Sequence, residues 1–263
     1  MVTWTTKKAA NYIRAVQQSK GDFIIVITGF RGVGKSTLLS RFIEELGIEL
    51  NEENFKKYFI YSRKELDKKL EDFTEKSPLC IDEGINLLFK REFQNRDQNI
   101  IIKKFNTYRD RFYVIFLLIP NFWDLDSSIR NSTMIKWWIH CHKFGEGTIY
   151  QPEDNEWNPD PWNQKNNFLA SRKGIRRWSL PNYIANITWN ELPEEVYDKY
   201  KKIKNEKRKE SYEENGKTPI SKAELIKALY SINSDINVSS LSEMLGTDAS
   251  YVHRLKKSVV KAD

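Results

Sequence analysis

Gly29-Phe30-Arg31-Gly32-Val33-Gly34-Lys35-Ser36-Thr37 is the stretch on which the reading of this 263-residue chain turns. It has the spacing G-x-x-x-x-G-K-[ST], and both flanks suit that pattern. Before it runs Phe23-Ile24-Ile25-Val26-Ile27-Thr28, an unbroken apolar, β-branched run that predicts a strand buried on both faces. After it, Leu38, Leu39, Phe42, Ile43 and Leu46 recur at helical spacing, and Gly47 supplies a stop. Glycines let the backbone curl until successive N–H groups point at one anion. Lys35 would place a charge on the terminal phosphates, and Ser36 offers a hydroxyl to Mg²⁺. The plain alternative is a glycine-rich turn that happens to contain Lys-Ser.

Composition sets the frame. The chain is 40% hydrophobic and 30% charged, with net charge +7 and pI near 9.1, a modest lean towards a polyanionic partner. The longest apolar run, residues 112–119, is too short for the roughly 20 residues that span a bilayer. The N-terminus is polar, so no membrane partner is expected and the protein should stay in the cytoplasm. Cys80 and Cys141 fall in predicted strands, which argues against a disulfide framework.

In chain order, Thr5 or Thr6 caps a helix to about Gln18, and Asn51 to Lys57 reads as a short helix. Tyr58-Phe59-Ile60-Tyr61 is a second strand, and Ser62-Arg63-Lys64-Glu65 a capping box that opens a helix carrying Leu66, Leu70 and Phe73. The third strand, Pro78-Leu79-Cys80-Ile81-Asp82-Glu83, ends in two acids. A parallel sheet gathers strand C-termini along one edge, where ligands bind. Asp82 would hold the shell of Mg²⁺ there, and Glu83 would polarise the water attacking a γ-phosphate. Otherwise the acids simply cap the helix predicted over residues 84–89.

A helix over residues 98–111 leads to a fourth strand, residues 112–119, followed by Pro120-Asn121. Asn121 can serve as a polar sensor of water and γ-phosphate, or as a turn residue. Residues 134–144 predict a fifth strand, joined by Gly145-Glu146-Gly147 to a hairpin partner. In that strand Cys141 must point away from His140 and His142, so a core cysteine between surface histidines is expected, not a metal site.

From Pro161 to Asn190 there is no acidic residue, while Lys165, Arg172, Lys173, Arg176 and Arg177 alternate with Trp162, Phe168, Trp178, Tyr183 and Trp189. Such a mixture suits a nucleic-acid groove, or a hairpin whose aromatics pack on the sheet. Residues 191–214 predict a long charged helix, polar enough to be a solvated connector. In the tail, residues 221–232, 238–246 and 247–257 predict short helices around a tight glycine turn. That is a helix-turn-helix pattern: Leu241, Leu245, Val252 and Leu255 inside, Ser250, Tyr251, His253 and Arg254 towards a DNA groove, Lys256 and Lys257 near phosphates. A helical interaction bundle is the alternative.

GFRGVGKST, LCIDEG and the strand closing in IPN together resemble the P-loop NTPases with an additional strand and a catalytic glutamate, the group of AAA+, RecA-like and HerA/FtsK-type ATPases. The resemblance covers residues 23–150. It implies an α/β three-layer sandwich, a mainly parallel sheet in the order 5-1-4-3-2, and a small all-α C-terminal domain beyond it. It implies that Gly29, Arg31, Gly32, Val33, Gly34, Lys35, Ser36 and Thr37 bind ATP, that Ser36 and Asp82 hold Mg²⁺, and that Glu83, Lys35 and Asn121 serve catalysis. It also implies an arginine finger in a homo-oligomer, Arg130 or, as second choice, Arg109. The expected organisation is an ATPase core over residues 1–150, a basic elaboration over 151–190, a connector over 191–217 and a helix-turn-helix domain over 218–263. The run from Arg91 to Arg130 looks like segments of mobile-element and viral ATPases that move DNA, which points to an oligomeric DNA motor. The tail is closer to AAA+ initiators and transposition regulators, which points to an ATP-gated switch on DNA.

Overall fold

The computed structural model describes residues 2–82, 88, 96–130, 134–152, 162, 182–216, 225–227, 229–230 and 236–260. Its strands are β1 (Thr3–Thr5), β2 (Phe23–Thr28), β3 (Phe59–Ile60), β4 (Pro78–Ile81), β5 (Val114–Leu118), β6 (Ile135–Lys143), β7 (Glu146–Tyr150) and β8 (Tyr183–Thr188). They form one sheet in the order β1-β8-β7-β6-β2-β5-β4-β3. Every pairing is parallel except those of β7 with β6 and with β8. The whole order therefore differs from the five-strand order expected: the anticipated strands run β6-β2-β5-β4-β3, and β7, β8 and β1 extend the sheet beyond β6. The N-terminal segment closes that added side, with Thr3 to Thr5 in register against Asn186 to Thr188.

Residues of β2 are buried at every position because helices cover both faces. Phe23, Ile25 and Ile27 meet α1 (Thr6–Gln18), α2 (Lys35–Glu45) and α3 (Glu52–Tyr58) through Ala9, Ile13, Leu38, Phe42 and Phe55. Ile24 and Val26 meet α4 (Arg63–Asp72) and α5 (Arg96–Thr107) through Leu66, Leu70, Ile101 and Phe105. A 3-10 turn, Phe122–Asp124, and the short α6 (Ser127–Arg130) follow β5 on that second side, contributing Phe122 and Ile129. The caps are those the sequence announces: Thr5 accepts from Lys8 N, and Ser62 accepts from Glu65 N. Glu65, however, returns its carboxylate to Tyr61 N, one residue outside a standard capping box. Cys80 and Cys141 are buried thiols. Among the described residues no helix is long and apolar enough to cross a membrane.

The charged helix, α7 (Glu194–Gly216), departs from expectation. Its first half lies on the core: Tyr200 and Ile203 are buried among Phe55, Phe59 and their neighbours, with Val196 packed beside them. Val196, Tyr200 and Ile203 are spaced to share one face, a stripe too narrow to stand out in so polar a helix. Ion pairs reinforce the docking, Lys207 Nζ to Glu65 Oε1 at 2.7 Å and Lys202 Nζ to Glu52 Oε1 at 3.2 Å. The reading of this helix as a solvated connector therefore fails for its first half.

Glu65 is the most connected of these acids. Burial alone would raise its carboxyl, but Lys69 and Lys207 outweigh burial and hold it below the ordinary glutamate value. A depressed carboxyl stabilises the fold above its unfolded value, about pH 4.3, and the contribution drains away as pH falls through the lower folded value. Urea midpoints measured from pH 6 down to pH 3 should fall more steeply for the unaltered chain than for Glu65→Gln. Parallel curves would show that the pair adds nothing to stability.

By contact the chain divides into residues 1–208 and 209–263. In the second unit, α8 (Val238–Met244) is capped by Asn237, and α9 (Ala249–Val260) follows a turn in which Gly246 has φ +54°. Ile226, Tyr230, Leu241 and Val252 form its small core, with Leu245 and Tyr251 packed against it. Leu241, Leu245 and Val252 thus lie where the sequence puts them; the side chain of Leu255 is outside the described residues.

Candidate functional site

The glycine-rich stretch joins the C-terminal end of β2 to the first turn of α2, so the amides of that turn face the sheet edge. Gly29, Gly32 and Gly34 have φ of +142°, +82° and +85°, and the left-handed Gly34 is the N-cap of α2. Space forbids a side chain at two of them. A Cβ on Gly29 would lie 2.6 Å from Cys141 O, and one on Gly34 would lie 2.9 Å from Phe144 Cδ2 and 3.3 Å from Trp189 Nε1. A Cβ on Gly32 would meet nothing within 4 Å, so the loop borders open space there. Lys35 turns back into this curve, donating to Gly29 O at 2.7 Å and Phe30 O at 2.8 Å. Desolvation draws its pKa below the ordinary lysine value, with Cys141 and Asp82 opposing that shift and Lys204 adding to it. Arg31 and Phe30 lie exposed on the loop.

Asp82 follows β4 directly, one strand beyond β5 on the same edge, and its side chain is only 4% exposed. Its Oδ2 accepts from Tyr61 OH at 3.4 Å, from Lys204 Nζ at 2.7 Å and from Tyr200 OH. Lys204 also donates to Tyr200 OH at 3.0 Å, and the Ser36 side chain lies near enough to the same hydroxyl to act on its pKa. Ser36 and Asp82, far apart in sequence, thus both lie beside one phenol. Burial raises the pKa of both tyrosines, and the Asp82 charge raises it further, so both phenols stay protonated donors.

The segment after β8 fixes this arrangement. Trp189 N donates to Gly145 O at 3.1 Å, and Arg41 of α2 holds Asn190 O and Glu191 O. The chain then enters α7, which carries Tyr200 and Lys204 to Asp82. The Trp189 indole is buried, and its N–H has no acceptor among the described residues. Sequence reasoning missed Tyr200, Lys204 and this role of Trp189. The apolar stripe of α7 was their one signal.

The remaining candidates scatter. Asn121 follows β5 beside the loop and lines a cavity of about 320 Å³ with Thr28, Trp138 and His140. Its Oδ1 accepts from Trp123 N at 3.2 Å, so it does act as a turn cap. Arg130 ends α6 with its guanidinium over the Trp123 ring. Arg109 precedes β5, at the sheet edge opposite the loop, so it cannot reach the loop of its own chain. His140 and His142 point away from buried Cys141 and bind Thr28 and Thr148 hydroxyls at 2.9 and 2.8 Å; no metal-type cluster occurs among the described residues.

Glu83, Arg172, Lys173, Arg176 and Arg177 lie outside the described residues, as does the helix expected over residues 84–89. Of the aromatics offered for base stacking, Trp162 and Trp189 are buried and so unable to stack on a ligand base; Trp162 packs against Phe122 and donates to Arg130 O. In the second unit Ser250, His253 and Arg254 are exposed, whereas Tyr251 packs on the core and Lys256 lies 5.0 Å over the Tyr230 ring. The Lys257 side chain is outside the described residues.

Fold and site define a mixed α/β protein with a mostly parallel sheet and a glycine-rich loop and helix start at its edge. No protein-family model matches the chain, and no curated protein matches it. Among solved structures, the N-terminal domain of zonular occludens toxin from Neisseria meningitidis is similar over 68% of this chain and 98% of that one, at 17% identity and a TM-score of 0.38. Likeness at that level leaves the chain's own loop and acid as the grounds for a functional assignment.

Proposed function

We propose that this chain is an ATP hydrolase that works on DNA as a homo-oligomer. The observation behind the hydrolase reading is a loop with three glycines at positive φ and a lysine folded into its curve, with the buried Asp82 carboxylate on the same sheet edge and the Tyr200 hydroxyl between it and Ser36. The open space at Gly32 and the amides of the α2 start would receive the phosphates. Lys35 would release its two carbonyls to hold them. A hydroxyl and a carboxylate are the hard oxygen donors that Mg²⁺ prefers, so Ser36 and Asp82 fit that ion. Mg²⁺, when bound, neutralises charge on the phosphoryl oxygens. Glu83, next to Asp82 in the chain, would take the proton of the attacking water. Asn121 would orient that water, and Arg130, or Arg109 from a neighbouring copy, would meet the developing charge.

The DNA reading rests on the acid-free basic run between residues 161 and 190, including Arg172, Lys173, Arg176 and Arg177, and on exposed Ser250, His253 and Arg254. A motor that transfers, packages or processes DNA of a mobile element or virus is the first reading. The tie between Asp82 and α7, a helix that runs on into the C-terminal unit, favours a second: an ATP-gated switch on DNA in replication initiation, transposition or transcription regulation.

ATP turnover measured with and without duplex DNA, for the unaltered chain and Glu83→Gln, tests both. Glu83→Gln should lower turnover by about a hundredfold or more while leaving nucleotide bound. A motor shows strong stimulation by DNA and clears a bound roadblock. A switch shows little stimulation, and its Glu83→Gln form stays longer on DNA. No DNA binding by the unaltered chain at low salt would remove the DNA half, and unchanged turnover in Glu83→Gln would remove the role of Glu83.

A further inference from the structure

Lys204 stands where a cation of the site is needed. Its ammonium lies 2.7 Å from Asp82 Oδ2 and 3.0 Å from the Tyr200 hydroxyl, with side-chain exposures of 16% for Lys204 and 4% for Asp82. All the hydrogen bonds described above for Asp82 fall on that one oxygen. The Tyr200 hydroxyl that binds it lies near Ser36, the other candidate Mg²⁺ ligand. A buried carboxylate needs a counter-charge, and an ammonium meets that need as a divalent ion would. The two cannot share the site cheaply. Mg²⁺ demands an octahedral set at about 2.0–2.1 Å, and with Lys35 nearby a further positive charge adds repulsion in a poorly hydrated space.

We propose that Lys204 is an internal counter-cation of Asp82 that Mg²⁺ must displace, so that loading the site with Mg²⁺ and nucleotide releases the Lys204 turn of α7 from Asp82. This rests on the phosphate-site reading above and adds a latch to it. The latch is reversible because its bonds are few. Without Lys204, α7 keeps Tyr200 and Ile203 in the core and Lys207 on Glu65, so the helix yields near Lys204 and is not shed as a whole. With its ring held in the core, Tyr200 would give up only the bond from its hydroxyl to Asp82.

The test is the binding of a fluorescent ATP analogue to the full chain as free Mg²⁺ is raised, for the unaltered chain, Lys204→Met and Lys204→Arg. Removing a latch closed about ten times in eleven should lower the Mg²⁺ midpoint of Lys204→Met by about tenfold. Lys204→Arg, which keeps the charge, should stay near the unaltered midpoint. In the unaltered chain, amide exchange over residues 196–207 should quicken when Mg²⁺ and nucleotide are added together, a readout that needs no variant to fold. Intact nucleotide binding with an unmoved Mg²⁺ midpoint, or weaker binding of the analogue at every Mg²⁺ level in Lys204→Met, would overturn the latch alone, the second outcome making Lys204 a phosphate ligand. Failure of the unaltered chain to bind nucleotide at any Mg²⁺ level would overturn the site reading together with the latch.

Discussion

Lys35→Ala is expected to lose nucleotide affinity by about ten- to a hundredfold, the worth of a charge-assisted contact of about 1.5–3 kcal/mol. Any turnover should fall further, by about 10²–10³, because the lysine charge matters most where charge builds on the transferred phosphoryl group. The fold should be spared. Lys35 donates to the carbonyls of Gly29 and Phe30 in a loop that borders open space, and water can take its place. Calorimetric titration with ATP, set beside a thermal melt, separates the two effects. Affinity unchanged in Lys35→Ala, with the melt unchanged too, would mean that the loop binds no triphosphate and is a turn with a decorative lysine.

Asp82→Ala is expected to cost stability as well as activity, and that sets it apart from Lys35→Ala. It leaves the Lys204 ammonium and the Tyr61 and Tyr200 hydroxyls without their common acceptor. Stranding a buried charge costs roughly 3–5 kcal/mol, and the partial exposure of Lys204 argues for the lower end. At about 2–4 °C per kcal/mol for a unit of this size, the melting midpoint should drop by roughly 6–12 °C. Adding Lys204→Met to Asp82→Ala should win back part of that loss, since an apolar pair is no longer a stranded ion. A single Asp82→Ala variant that melts with the unaltered chain would show the polar cluster to be loosely held, and a double variant less stable than the single would show that Lys204 stabilises by some other contact.

The glycine-rich loop, the strand before it and the helix after it were legible because each rests on local chemistry: positive φ that only glycine takes without strain, a run of β-branched residues, and a 3.6-residue period. The same holds for the caps at Thr5, Asn51 and Ser62 and for the opposed directions of Cys141 and His140. Asp82 at a strand end was legible for the same reason. The three extra strands were only partly so. The hairpin of β6 and β7 has a glycine turn to announce it, but β1 pairs with β8 across most of the chain, and nothing in Thr3 to Thr5 names that partner. The aromatics between residues 157 and 189 could not be assigned from sequence, since Trp162 and Trp189 look the same whether they stack on a base or fill a core.

The sequence by itself determined that a glycine-rich loop and an acid-ended strand lie on one edge of a mostly parallel sheet, because strand direction and loop geometry follow from residue type over a few positions. Only the tertiary structure decided what else stands at that edge. Tyr200 and Lys204 come from a helix whose residues are overwhelmingly polar, and their meeting with Asp82 depends on the path taken after β8, over the Gly145 turn and across Arg41. A charged side chain on a polar helix is ordinarily best left in water. Here a buried carboxylate draws Lys204 in, and that preference belongs to the two groups together, so neither residue discloses it alone.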